Sequence, residues 1–179
     1  KYGAETPFIR PKSISKTLTT DLEVFKHALA WLKKNENYSP DLVIQFRPTS
    51  PIRFIKDIQK GLKIIKKTNK IDSIRSVAEP LTTPYKMWTI AKKGNLKPLL
   101  VLKNFRESYN APRQILPKIF AQNGSLEIIK TEVITKKNSM TGKNIYPLIM
   151  PTNISIDIDT MFSLKYAESL IKNINCIKP

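Results

Sequence analysis

Two aspartates close to the C-terminal end of the chain, Asp157 and Asp159, alternate with isoleucines in the run Ser155-Ile156-Asp157-Ile158-Asp159-Thr160. In an extended segment, residues two apart share a face. Both carboxylates are therefore expected to project together while Ile156 and Ile158 turn to the core. Like charges on one face repel unless a cation neutralises them. Hard oxygen donors of this kind suit Mg²⁺, or Mn²⁺, held jointly with phosphate oxygens. The plainer alternative is that Asp159 caps the helix that follows, with Asp157 merely exposed. A second candidate is the turn Arg47-Pro48-Thr49-Ser50-Pro51-Ile52-Arg53, with two guanidiniums and two hydroxyls. The planar fork of arginine matches phosphate and carboxylate oxygens; a tight turn with solvated arginines is the alternative. Pro112-Arg113-Gln114 and Gln122-Asn123-Gly124 are polar clusters beside apolar runs, although Asn-Gly is also ordinary turn chemistry.

These residues need a scaffold, and the hydrophobic pattern supplies one. Thr20 and Glu23 have capping-box spacing at the head of a helix over 20–35, with Phe25, Ala28, Leu29 and Leu32 as its buried stripe. His27 lies off that stripe and reads as a surface residue with no second histidine for a metal pair. The run 41–46 reads as a buried strand, ended by the prolines of the 47–53 turn. A helix follows over 55–67, with Ile55, Ile58, Leu62 and Ile65 on one face, and then a strand over 72–77. Strand, turn, helix, strand is the unit of a parallel sheet. In open α/β sheets ligands lie beyond the C-terminal strand ends, which places the 47–53 turn at a ligand. Prolines at 80, 84, 98, 112 and 117 mark an excursion from the sheet over about 80–121, with strand-like pieces at 87–91 and 96–102. Strands over 125–129 and 146–150, a short helix over 131–136 and a final helix over 161–173 complete the chain. The fold class expected is α/β, mainly a parallel sheet with flanking helices, plus a small arm.

The chain has 179 residues, 41% of them hydrophobic, and a net charge of +17. That length fits one domain and a real core. No run is long and apolar enough to span a membrane, and no signal-peptide pattern opens the chain. The single cysteine, Cys176, excludes an internal disulfide, reads as an inert thiol, and fits a cytoplasmic protein. The five glycines, at 3, 61, 94, 124 and 142, assemble no phosphate loop. The lysines are scattered, so a solvated basic surface is a better account of the charge than nucleic-acid binding, and a basic cleft for small anions is a further one.

Taken in order, the pieces resemble the acylneuraminate cytidylyltransferases, the CMP-sialic acid synthetases. The matching stretches are Phe8-Ile9-Arg10-Pro11, RPTSPIR at 47–53, Pro84-Tyr85-Lys86, PRQILP at 112–117, Asn123-Gly124 and SIDIDT at 155–160. The resemblance implies transfer of CMP from CTP to a nine-carbon 2-keto sugar acid, a nonulosonic acid, with release of pyrophosphate. It implies that Asp157 and Asp159 hold Mg²⁺ at the triphosphate. Arg10, Thr20, Arg47 and Ser50 would lie at the nucleotide, and Gln114, Asn123 and Met140 at the sugar. Lys86 and Arg113 would come from the arm of a partner subunit in a homodimer.

The departures from the family are specific. Arg47 stands where a glutamine is usual, Lys16 where an acidic residue is usual, and Glu127 where a tyrosine follows Asn-Gly. Met140-Thr141 falls where the sialate enzymes carry paired aromatics. These changes point away from sialic acid itself and toward a related acid of the legionaminic or pseudaminic kind. The family's opening strand and phosphate loop would precede Lys1. The chain therefore reads as a single cytidylyltransferase domain over 1–179 without its N-terminal segment, expected to be inactive as it stands. A catalytically dead homologue that keeps the fold and dimer contacts, and a basic nucleic-acid-binding module, are the competing readings.

Overall fold

The computed structural model describes residues 3–174, so Cys176 lies outside the described residues. Helix α1 (Asp21–Glu36) starts where Thr20 and Glu23 close a reciprocal capping box, and it stops at Asn37 in the left-handed conformation. Strand β1 (Leu42–Gln45) leads through the 47–53 turn into α2 (Ile55–Lys67) and then β2 (Ser73–Ala78). The hairpin β3 (Trp88–Ile90) and β4 (Leu96–Pro98) pairs only with itself. Next come β5 (Ala121–Lys130), the short α3 (Thr131–Thr135), β6 (Ile145–Ile149) and α4 (Met161–Asn173).

The main sheet has the order β1-β5-β2-β6. It corrects the expectation of a mainly parallel sheet. β5 pairs antiparallel with both β1 and β2, and only β2 and β6 pair in parallel. The β1-α2-β2 unit is present and its two strands do run the same way. They are not neighbours, because β5 returns from the excursion and inserts between them in the opposite sense. Hydrophobic periodicity reports which residues face the core but not which way a strand runs. The excursion does contain the expected antiparallel arm, although its second strand ends at Pro98.

The two sheet faces bury different helices. Ile74, Leu126, Ile128 and Leu148 pack under Ile58, Leu62 and Ile65 of α2. Gly61 lets this helix approach closely, since a Cβ there would press on the Ile128 side chain. On the other face Ile129, Val133 and Ile134 meet Leu22, Phe25 and Leu29 of α1. His27 is half-buried rather than a plain surface residue, with Phe8 edge-on to its ring at 5.1 Å.

At the edge of the sheet where β2 and β6 begin, Asp72 ties down the 137–144 loop. Its carboxylate accepts from Lys137 Nζ at 2.5 Å and from the backbone N–H groups of Lys143 and Asn144 at 2.9 and 3.1 Å. These bonds, that from Lys137 foremost, hold its pKa down from 3.8 to about 2. Gly142 has φ +69° and sits so tightly on this carboxylate that any Cβ would collide with it.

Candidate functional site

The opposite edge of the sheet collects the polar motifs. β1, β2 and β6 end there and β5 begins there, so four separate segments converge. The first is the 47–53 turn. Ser50 N–H donates to the Arg47 carbonyl at 3.1 Å, and the Arg53 guanidinium also donates to that carbonyl. Arg53 further stacks on Phe46 at 4.9 Å, and its burial lowers its pKa. Arg53 is thus a strut of the turn rather than a solvated charge.

Asn123 joins the other segments. Between Arg75 and Val77 the β2–β5 register shifts, and the hydroxyl of Ser76 fills the break. It accepts from Leu126 N–H at 2.9 Å and donates to Asn123 Oδ1 at 2.6 Å. Asn123 Nδ2 donates to Ser155 Oγ at 2.9 Å, and the Asn123 carbonyl accepts from Ser50 Oγ at 2.9 Å. Gly124 follows with φ +68°, and a Cβ there would meet Ser50 and Arg47. The Asn-Gly pair is therefore a turn residue and a close-approach residue at once. The side-chain amide of Asn123 is spent on holding the walls together.

The aspartates lie on the fourth segment. Ile158 N–H donates to the Thr49 carbonyl at 2.8 Å, which pins this segment to the 47–53 turn. Asp157 and Asp159 are exposed while Ile156 and Ile158 are half-buried, so the alternation holds. The segment is not a strand: Asp159 N–H turns back to the Asp157 carbonyl at 3.2 Å. The capping alternative for Asp159 is corrected, because Thr160 caps α4 in a reciprocal box with Ser163. Among the described residues no hydrogen bond or ion pair engages either carboxylate. Two free hard-oxygen donors, with no group of three His, Cys, Asp or Glu among the described residues that could cage a metal, fit a cation shared with a ligand's own oxygens.

Asp157, Ser155, Thr152, Gln122, Asn123 and the stretch Ala78–Leu81 line a cleft. A second cleft begins at the same Glu79 and is lined by Thr83, Arg113, Gln114 and Lys118. Arg113 donates to the carbonyls of Pro80 and Leu81 at 2.8 and 3.4 Å, within its own chain. Lys86 is exposed at the end of the Pro84–Lys86 turn, at the root of the arm.

Not every expected residue joins this edge. Thr20 is committed to its capping box, although its neighbour Asp21 reaches Arg47 at 3.0 Å. Arg10 holds Ser15 Oγ at 3.2 Å, and among the described residues no hydrogen bond or ion pair links it to the cleft. Met140 packs with Leu29, Ile129, Val133 and Ile134 in the loop fixed by Asp72, at the far edge of the sheet.

Sequence reasoning missed a polar patch beside the cleft. Gln45, Glu127 and Arg75 are cross-strand partners on β1, β5 and β2. Glu127 is buried, with its Oε2 2.7 Å from Arg75 Nη2 and its Oε1 3.9 Å from Arg47 Nη2. Gln45 Nε2 donates to Asp21 at 3.1 Å, and Arg75 Nη1 donates to Gln122 at 2.9 Å. Four buried atoms here lack a hydrogen-bond partner among the described residues: Gln45 Oε1, Arg47 Nε, Arg75 Nε and Glu127 Oε1. A buried polar group left unpaired costs about 1–3 kcal/mol. The one signal in the sequence was Glu127 itself, a carboxylate set between the apolar residues Leu126 and Ile128.

The chain is 26% identical over 175 residues to "Post-translational flagellin modification protein B" of Campylobacter coli, spanning 98% of the chain and 72% of the relative. It is 28% identical over 173 residues to the "CMP-N,N'-diacetyllegionaminic acid synthase" of Campylobacter jejuni, spanning 96% and 70%. No family model matches the chain. At modest identity, the two relatives support an acylneuraminate cytidylyltransferase-like family.

Proposed function

We propose that the protein is a cytidylyltransferase that moves CMP from CTP to a nonulosonic acid and releases pyrophosphate. The observation that carries this reading is the convergence of SIDIDT, RPTSPIR and Asn123-Gly124 on one sheet edge, joined by the bonds from Ile158 to Thr49, Ser50 to Asn123 and Asn123 to Ser155. The relative named as a CMP-N,N'-diacetyllegionaminic acid synthase supports it.

In this reading the sugar's anomeric hydroxyl oxygen attacks the α-phosphorus. The bond to the bridging oxygen of the β-phosphate breaks, and the hydroxyl proton passes to solvent. The chain's work is positioning and charge neutralisation. Asp157 and Asp159 would hold Mg²⁺, and a divalent cation there would supply positive charge to offset that on the leaving phosphates. Arg47 borders the nucleotide, and Ser50 fixes the turn that presents it. Asn123 keeps the cleft walls in register, and Gln114 borders the sugar. No helix among the described residues is long and apolar enough to cross a membrane.

The test is pyrophosphate release by the protein expressed from its complete reading frame, given CTP, Mg²⁺ and a panel of nonulosonic acids. Release with at least one acid is expected; none with any acid would sink the reading.

A homodimer belongs to the same proposal. The arm exposes Ile90, Leu96, Leu99, Leu100 and Val101, an apolar surface suited to a second copy. Arg113 and Lys86 at its base would then serve the partner's cleft. Arg113→Ala and Asp159→Asn homodimers are each expected to be inactive, while their mixed dimers recover about a quarter to a half of the activity by subunit counting. Absence of recovery would place Arg113 in its own subunit's site.

A further inference from the structure

We propose that the solvent face of α2 docks the protein on an anionic membrane surface, a bilayer carrying acidic phospholipid headgroups. The inference is independent of the cytidylyltransferase reading and concerns where the protein sits rather than what it transfers.

The positive charge is concentrated on this helix. α2 carries Lys56, Lys60, Lys63, Lys66 and Lys67 against a single acidic residue, Asp57, and Lys70 lies in the turn that follows. α1 is mixed by comparison, with Asp21, Glu23 and Glu36 offsetting Lys26, Lys33 and Lys34. All the lysines from Lys56 to Lys70 are exposed. Among the described residues none of them enters an ion pair.

Spacing sets four of them in one row. Lys56, Lys60, Lys63 and Lys67 follow one another at steps of four, three and four residues. On a helix these positions fall within an arc of about 60° and extend over about 16 Å of the axis. The opposite side of the helix carries Ile58, Leu62 and Ile65, which pack on the sheet. The helix is thus held by its apolar side, and the row is fixed outward. Like charges three and four positions apart repel. Asp57 lies to one side of the row, so the helix carries this repulsion largely uncompensated, and an anionic surface would relieve it. Lys130 Nζ donates to the Asn69 carbonyl at 3.1 Å, which carries the basic surface on toward the far edge of the sheet.

The residue types select the partner. The row holds lysine alone, with no arginine and no aromatic residue. Protein interfaces are depleted in lysine and are anchored by aromatic residues and arginine. Nucleic-acid sites use the arginine fork and aromatic stacking. A duplex is also a rigid cylinder, which meets a helix lying across it over a short stretch. Lysines more than about 10 Å from a phosphate are screened at 0.1 M salt. A bilayer is flat and its headgroups move to each lysine, so the whole row acts at once. Clusters of about four to eight basic residues on an amphipathic helix suit acidic headgroups for this reason. None of these lysines lines either cleft, so docking leaves both open.

The test is co-sedimentation of the protein, expressed from its complete reading frame, with phosphatidylcholine vesicles. The vesicles contain about 40% phosphatidylglycerol or none, and the salt is about 0.05 or 0.5 M. Binding is expected with the acidic vesicles alone and at the lower salt alone. Lys60→Gln with Lys63→Gln, which keeps good helix formers in place, should weaken it at least about fivefold. Lys33→Gln with Lys34→Gln removes the same charge from α1, on the other face of the sheet. That variant should weaken binding less than about twofold. No binding, equal binding to both vesicles, binding that survives the higher salt, or an equal loss in the two variants would overturn the proposal. Tighter binding to a DNA duplex of about 20 base pairs, lost in the Lys60 and Lys63 variant, would also overturn it and make the row a nucleic-acid contact.

Discussion

Replacing Asp159 with asparagine is expected to lower kcat for pyrophosphate release about a thousandfold and to leave the fold intact. The fold does not use this carboxylate. Thr160 and Ser163 cap α4 between themselves, and the segment is pinned through the Ile158 amide rather than through either aspartate. What the substitution removes is one of two hard, negatively charged donors in a site with no third acidic or histidine ligand among the described residues. An amide oxygen holds a divalent cation far more weakly than a carboxylate. The measurement is kcat at saturating Mg²⁺ together with a thermal melt. A near-normal rate would refute the metal role. A fallen melting temperature with a proportionate loss of activity would make Asp159 structural.

The second large effect concerns stability and lies at the far edge of the sheet. Asp72→Ala is expected to destabilise the protein by about 2–3 kcal/mol at pH 7, because charge-assisted bonds to Lys137 and two backbone amides vanish together. The amides of Lys143 and Asn144 would lose their acceptor, and the loop carrying Met140 would lose its anchor. The effect has a definite pH dependence. Asp72 is held at about 2 in the fold against 3.8 ordinarily. Its contribution is therefore full above about pH 4 and is lost as the pH falls toward 2. Denaturant unfolding of the two proteins should show a gap at pH 7 that narrows markedly by pH 2.5. A gap of constant size would mean that packing, not the ionised carboxylate, carries the effect.

Much of this was legible in the residues. Capping residues, period and prolines located α1, α2, β1, β2 and the arm to within a few positions, because each is decided by neighbours in the chain. The three polar stretches of the cleft were legible as motifs for the same reason. Strand direction was not. β5 lies between β1 and β2 because of where the excursion returns, and no local pattern records that. Met140, which packs away from the cleft, was hidden for a related reason. It carries no charge or turn signature, and its address is set by a loop tied to Asp72 nearly 70 positions earlier in the chain. The Gln45–Glu127–Arg75 row was hidden because its members meet only through cross-strand register. Arg53 has the chemistry of a ligand group, yet Phe46 and the Arg47 carbonyl claim it.

The reversed strand also fixes how the arm and the cleft communicate. The excursion leaves the sheet just beyond Ala78 and comes back at Ala121, and both residues line the cleft, with Asn123 two positions further on. The arm is thus spliced into the cleft wall at both of its roots, like a handle riveted to the rim of a bowl. Glu79–Leu81 and Gln122–Asn123, the residues next to the arm's two roots, therefore belong to one cleft wall although about 40 positions of chain separate them.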